Sequence, residues 1–297
     1  MSEAFRPKQY RRANSEAETS ELLKHYAERA RIIAGGTGIY EIAHRGLLGQ
    51  VEALIDINNL NLGYVKLGDK FVRIGTSTTM TAMFESKELA EYPELSGLYD
   101  ALRAIQPLQV KNVATIGGAI CTGLPFFDLP VSLIAMDADV VVAPENRIAK
   151  LSEFIQGYFS VDLHPGEFVK EVRIPLSSEH ERICSAFQKF AITGDDWALV
   201  NCGASLKLRE DVISAAIVCF GGGVGEKPKR VVQIEKMLEG IRATDEAGIK
   251  TILEENMEKE LETVSDIRAS AQYRMHLAKV LGRRTILNAA KIAKEEK

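Results

Sequence analysis

Two short stretches carry the residue types from which an anion cradle is made: Ala34-Gly35-Gly36-Thr37-Gly38 and Thr115-Ile116-Gly117-Gly118-Ala119. Glycine brings no side chain, so its N–H can approach a diphosphate closely, and successive N–H groups can form an anion-binding nest. The first stretch leaves the apolar run Arg31-Ile32-Ile33-Ala34 and precedes Ile39-Tyr40-Glu41-Ile42, which has the composition to open a helix. The second adds the Thr115 hydroxyl, and Asp128 follows it after Pro125-Phe126-Phe127. An acidic side chain beside a phosphate cradle accepts from a ribose hydroxyl in other dinucleotide sites. Each stretch taken alone reads as a strand-ending turn, since Gly-Gly is a common breaker. Neither fits G-x-G-x-x-G or a P-loop, because Glu41 stands where the last glycine would fall and no G-K-S/T exists. Taken together, with both at strand or helix ends, they point to a dinucleotide site.

Other chemistry-bearing residues favour structural readings. Gly221-Gly222-Gly223-Val224-Gly225 reads as a bend where one domain's strands hand over to helices. His25, His44, His164, His180 and His276 have no i, i+4 partner and no H-E-x-x-H setting, so a metal site is not expected. No G-x-S-x-G elbow is present, and Asp195-Asp196 sits in the turn Thr193-Gly194-Asp195-Asp196-Trp197. Cys121, Cys184, Cys202 and Cys219 are too far apart for C-x-x-C or a ferredoxin-type run, and read as buried thiols of a reducing compartment. Redox work would need an organic cofactor, or a metal held by another chain.

The elements around these stretches follow from pattern. At 297 residues and 46% hydrophobic content the chain can bury a sizeable core divided among two or three domains. A net charge of −4 excludes a basic field for nucleic acid or anionic lipid. No apolar run is long enough to span a bilayer, and Met1 to Arg6 lack a signal-peptide core, so a soluble, cytoplasmic protein is expected. Ser15 and Glu18 have capping-box spacing ahead of a helix with Leu22, Leu23, Tyr26, Ala27 and Ala30 on one face. Strands are expected at 31–34, 54–57, 71–74, 140–142 and 168–174, and helices at 79–92 and from Leu98 to Pro107. Residues 113–118 read as small and flexible. Residues 187–190, 198–208 and 212–220 read as an antiparallel meander, and the chain is expected to be helical from Pro228 to its end, with Leu277, Val280, Leu281 and Leu287 on one face. The acidic cluster Glu254–Glu262 reads as a solvated helix face. The succession of blocks predicts an α+β protein, with boundaries near Asp56 and Glu179: 1–56, 57–178 and 179–297.

The stretches Ile32 to Thr37 and Gln109 to Gly118, with Pro125 to Asp128-Leu129-Pro130, resemble the FAD-binding medium subunit of the molybdenum hydroxylases, the relatives of xanthine dehydrogenase and aerobic carbon monoxide dehydrogenase. Ile74-Gly75-Thr76-Ser77-Thr78-Thr79, Val172-Arg173-Ile174-Pro175, Ser185-Ala186-Phe187, Ala198-Leu199-Val200 and the run from Tyr273-Arg274 to Arg283-Arg284 extend the likeness over nearly the whole chain. The resemblance implies a two-part FAD domain of the vanillyl-alcohol-oxidase (PCMH) type followed by an α+β C-terminal domain. It also implies a subunit that passes electrons between the 2Fe–2S clusters of a small subunit and an external acceptor (NAD, ferredoxin or quinone), with substrate oxidised on a molybdopterin large subunit. By position it assigns to FAD Ile32, Ile33, Ala34, Gly35, Gly36, Thr37, Gly38, Ile39, Ile105, Thr115, Ile116, Gly117, Gly118, Ala119, Asp128, Val169, Gln188 and Lys189. Four departures stand out. Gly38 replaces Asp or Asn, Ala119 replaces Asn or Asp, Gln188 replaces a lysine with Lys189 adjacent, and Ile192-Thr193-Gly194 lacks an Arg pair. Two alternatives stay open: a self-sufficient flavoenzyme resembling the cell-wall UDP-sugar enolpyruvyl reductase, and a scaffold that has lost flavin.

Overall fold

The computed structural model describes residues 5–177 and 182–295, so the boundary expected at Glu179, and His180 with it, lie outside the described residues. The chain opens with β1 (Gln9–Arg12), α1 (Glu16–Tyr26), β2 (Ala30–Ile33), α2 (Thr37–His44) and β3 (Ala53–Asp56). Both flanking strands run parallel to β3, in the order β1-β3-β2. Half of the capping box forms as its spacing implies, the Glu18 N–H donating to Ser15 Oγ, while Glu18 Oε2 reaches one residue further back and accepts from the Asn14 N–H.

The middle of the chain supplies β4 (Val65–Leu67), β5 (Phe71–Gly75), α3 (Met80–Phe84), α4 (Lys87–Ala90), α5 (Ser96–Ala104), α6 (Leu108–Val113), α7 (Ile116–Cys121), α8 (Asp128–Ala135), β6 (Asp139–Ala143), β7 (Arg147–Lys150), α9 (Leu151–Phe154), β8 (Ile155–Gly157), β9 (Ser160–Val161) and β10 (Phe168–Pro175). An antiparallel sheet, β4-β5-β10-β6-β7, buries one face against the helices, with Val72, Ile74, Leu98, Leu102, Ile120, Leu133 and Val140 in the largest core cluster. The helix expected at 79–92 is two short helices, and the next one stops at Ala104, ahead of Ile105. The run read as flexible, 113–118, is instead the end of α6 and the capped start of α7.

The last block holds β11 (Arg182–Phe190), β12 (Val200–Arg209), β13 (Val212–Gly222), β14 (Lys229–Arg230), α10 (Val232–Leu238), α11 (Glu246–Glu260) and α12 (Ala271–Glu295). The meander forms as β11-β12-β13, joined at its edge by β14, a strand where continuous helix was expected. The glycine run does not bend the chain out of the sheet at its start: Gly221 and Gly222 still belong to β13, and Gly222 adopts φ +86°. Helices α10 to α12 cover the other face around Phe220, Leu253, Met257 and Leu281. The two larger blocks are joined by α5 and α8, which pack on β11 and β12. Ser185 Oγ makes part of that junction, accepting from the Gly97 N–H at 2.8 Å and donating to the Glu94 carbonyl at 2.6 Å. Among the described residues, no helix is long and apolar enough to cross a membrane.

One buried charge sits inside the five-stranded sheet. The Glu171 carboxylate, 1% exposed, accepts from Tyr64 (2.7 Å), Arg73 (2.9 Å) and Arg173 (2.7 Å). Burial opposes its ionisation, but these hydrogen bonds outweigh burial and hold the carboxyl below its usual range; burial and the carboxylate together push the Tyr64 hydroxyl up to about 12. A depressed carboxyl contributes its stabilisation above its unfolded pKa and loses it as pH falls through the folded value. Glu171→Gln should therefore cost about 2 kcal/mol at neutral pH, with a deficit that shrinks in acid. Denaturant titrations at neutral and acidic pH check this, and a deficit independent of pH would contradict it.

Candidate functional site

Strand β2 delivers the first glycine stretch to the N-terminus of α2. Gly36 takes the left-handed conformation, φ +78°, which turns the chain from strand to helix and which side-chain-bearing residues resist. The opening N–H groups of α2 have no partner within the helix and point out of its first turn, where the dipole favours an anion. A short network holds the turn from behind. Asp56, 2% exposed, accepts from Tyr10 (2.7 Å) and from the Asn58 side chain (2.8 Å), and Asn58 donates to the Ala34 carbonyl (3.3 Å).

The second stretch is organised differently. Ile116 N–H donates to the Thr78 carbonyl, Gly117 N–H to the Thr76 carbonyl, and Gly118 N–H to Thr115 Oγ1. Its backbone donors are thus already used, and it offers surface and hydroxyls where the first loop offers N–H groups. The two stretches come together, α7 against α2, and each sits close to its neighbours because it lacks side chains. A β-carbon on Gly35 would overlap the Val113 carbonyl oxygen, and one on Gly117 would overlap the Thr76 hydroxyl.

Around this contact lie two chambers of about 610 and 590 Å³, within the size range of small-molecule sites. Residues 35–38, Gly118 and Thr122 line both, so the chambers form one cleft that narrows at the glycines. Of the residues singled out in the sequence, Ile32, Ile33, Ala34, Ile39, Thr115, Gly117 and Val169 line one chamber, and Ile105, Ala119, Asp128 and Lys189 the other. Two do not reach it. The Ile116 side chain is fully buried in the main core, and Gln188 lines neither chamber. Strand alternation explains the second case: in β11 the side chain of Lys189 points to the face opposite Gln188.

Asp128 does not stand free in the wall. Its carboxylate, 6% exposed, accepts from Lys189 Nζ at 2.9 Å and from Asn201 Nδ2 at 2.8 Å. Burial pushes this carboxyl up, while Lys189 and Asn201 pull it the other way. The pair presents a compact dipole to the cleft. Trp197 closes the same chamber from the turn after β11, stacked on Phe126 at 5.7 Å with the Arg45 guanidinium 4.5 Å above its ring. Asp195 and Asp196 border that chamber, and Asp196 accepts from the Thr193 N–H as its turn requires. Phe126, Trp197, Thr122 and Thr76 escaped the sequence reading. The one usable signal was that Trp197, the chain's single tryptophan, adjoins a polar turn.

An α+β chain whose two chambers join over a glycine floor, at a helix N-terminus, is of the class that holds an extended dinucleotide cofactor. Its residues 3–177 match the FAD binding domain in molybdopterin dehydrogenase, and 185–289 match the CO dehydrogenase flavoprotein C-terminal domain. The chain belongs to the FAD-binding medium subunits of the molybdenum hydroxylase family, and FAD is the cofactor. It is 30% identical to the glyceraldehyde dehydrogenase medium chain of Sulfolobus acidocaldarius, over 92% of this chain and 94% of that one. It is 26% identical to the xanthine dehydrogenase FAD-binding subunit of Escherichia coli O157:H7, over 96% of each. A solved structure of reconstituted CO dehydrogenase from Oligotropha carboxidovorans superposes with a TM-score of 0.88 at 26% identity, covering 97% of this chain and 99% of that one.

If the close contact sets the cleft, a methyl group at its centre should be costly and one outside it harmless. Gly35→Ala must displace backbone, and is expected to cost at least about 2 kcal/mol. Gly49→Ala, where a β-carbon meets nothing within 4 Å, should stay within about 0.5 kcal/mol of wild type. Equal unfolding midpoints for the two variants would show that the contact is not tight.

Proposed function

We propose that this chain is the electron-transferring flavin subunit of a molybdopterin-dependent oxidoreductase, with FAD held along the two-chambered cleft. The observation that carries the reading is the shape of that cleft: two chambers that share residues 35–38, Gly118 and Thr122, with the N-terminus of α2 at the constriction. Bound there, FAD supplies exchange between one-electron partners, such as an iron–sulfur cluster, and two-electron acceptors.

The protein's own residues bind and orient. The N–H groups at the start of α2 receive the diphosphate, as helix N-termini receive anions elsewhere. Ile32, Ile33, Ile39 and Val169 give apolar walls to one half of the cofactor, and Ile105 with Trp197 to the other. Lys189 and Asp128 fix a charge pair beside that second half, and the Trp197 turn limits water at its mouth. The assembly we infer has a small subunit carrying 2Fe–2S clusters and a large subunit carrying molybdopterin, where substrate is oxidised. NAD, a ferredoxin or a quinone takes or gives the electrons at the other end. The division 1–56, 57–178 and 179–297 belongs to the same reading. A self-contained reductase has less support, because residues 185–289 match a CO dehydrogenase flavoprotein domain.

The test is equilibrium titration of the purified chain with FAD, followed by flavin fluorescence, together with capture of its native partners for metal and cofactor analysis. One FAD per chain is expected, with iron and molybdenum in the captured complex. A folded chain that takes up no FAD would overturn the reading. Asp128→Ala should weaken FAD binding roughly tenfold, about 1.4 kcal/mol. Unchanged affinity would remove Asp128 from the site.

A further inference from the structure

Gly38 lies in the first turn of α2 and carries no side chain into the constriction. The structure fills that place from the opposite loop. Thr122 follows the last residue of α7, is 7% exposed, and lines both chambers. Its Oγ1 sits 2.7 Å from where a β-carbon on Gly38 would stand, and the three nearest atoms from outside the local helix backbone all belong to Thr122. A side chain at 38 and the hydroxyl of 122 therefore compete for one space.

The hydroxyl is also available. It donates to the Gly118 carbonyl at 2.6 Å, but that carbonyl already accepts the Thr122 backbone N–H at 3.1 Å. A hydroxyl has one donor and two acceptor positions, and its proton is free to rotate. Turning it toward a phosphate oxygen leaves no buried carbonyl unpaired. Thr122 stands four residues after Gly118, so it shares that glycine's face of α7, the face turned to α2.

We propose that Thr122 donates its hydroxyl to the diphosphate of the bound dinucleotide, in the position that Gly38 leaves open, and that the two residues form an interdependent pair. This rests on the flavin reading above. The first loop then supplies main-chain donors, and the second supplies a side-chain donor that the glycine pattern does not announce.

The test measures FAD affinity and the melting temperature of the apoprotein for five variants, the single Thr122→Ala among them. Thr122→Val keeps the shape, and its backbone N–H still satisfies Gly118, so the apoprotein should melt close to wild type. Its FAD binding should weaken roughly tenfold or more, the effect of losing one hydrogen bond to a charged group. Thr122→Ser should bind within about twofold of wild type. Gly38→Ser should weaken FAD binding by crowding Thr122, and Gly38→Ser/Thr122→Ala should bind better than the product of the two single losses, because the serine then takes over the hydroxyl's place. Wild-type affinity in Thr122→Val, or losses that simply multiply in the double variant, would overturn the pairing while leaving the flavin reading intact. Failure of the wild-type chain itself to bind FAD would overturn both.

Discussion

The cleft depends on backbones approaching more closely than any side chain would allow. Gly35 rests on the Val113 carbonyl, Gly117 on the Thr76 hydroxyl, and Gly38 under Thr122. A β-carbon at Gly35 would hold the N-terminal layer away from α6, one at Gly117 would push α7 off the turn after β5, and one at Gly38 would displace the Thr122 hydroxyl. The constriction between the two chambers would then widen into an open groove. Glycine is costly in the unfolded chain because it has more freedom to lose, so three such positions at one contact mark a place where shape outranks stability.

The elements around that contact are arranged to keep it still. The parallel strands β1, β3 and β2 fix where the first loop emerges, and the buried Asp56 ties its turn through Asn58. The antiparallel sheet holds Thr76 and Thr78 under α7, locking that loop's amides. The C-terminal sheet contributes Lys189 and Asn201, which pair with Asp128 of α8 across the domain junction. The site is therefore a product of the three larger sheets, and its polar groups are mostly committed to one another. What remains free at the constriction is the start of α2 and a few hydroxyls, a donor set suited to an anion held at a fixed point.

Much of this was legible in the sequence, and the misses have physical causes. The apolar strand before Gly35, the meander and the long C-terminal amphipathic pattern announce themselves by period. The segment Ile116–Cys121 carries two glycines in six residues and reads as a loop; it is helical because Thr115 caps it and because Ile116 and Ile120 are buried. Strand β1 has no buried position, so no alternation reveals it. Gln188 and Lys189 are neighbours in sequence but face opposite ways on a strand, which no list of positions resolves. Thr122 and Trp197 belong to the cleft only through tertiary approach. Asp128 was visible as an acidic residue after the second loop, whereas its commitment to Lys189 and Asn201 depends on strands some sixty to seventy residues downstream.

The most direct test is a crystal structure of the chain with FAD bound. The diphosphate is expected at the start of α2, between residues 35–38 and Gly118, with one end of the cofactor beside Ile33 and Val169 and the other beside Ile105, Lys189 and Trp197. Density for the cofactor outside this constriction, or a diphosphate contacting neither loop, would contradict the account.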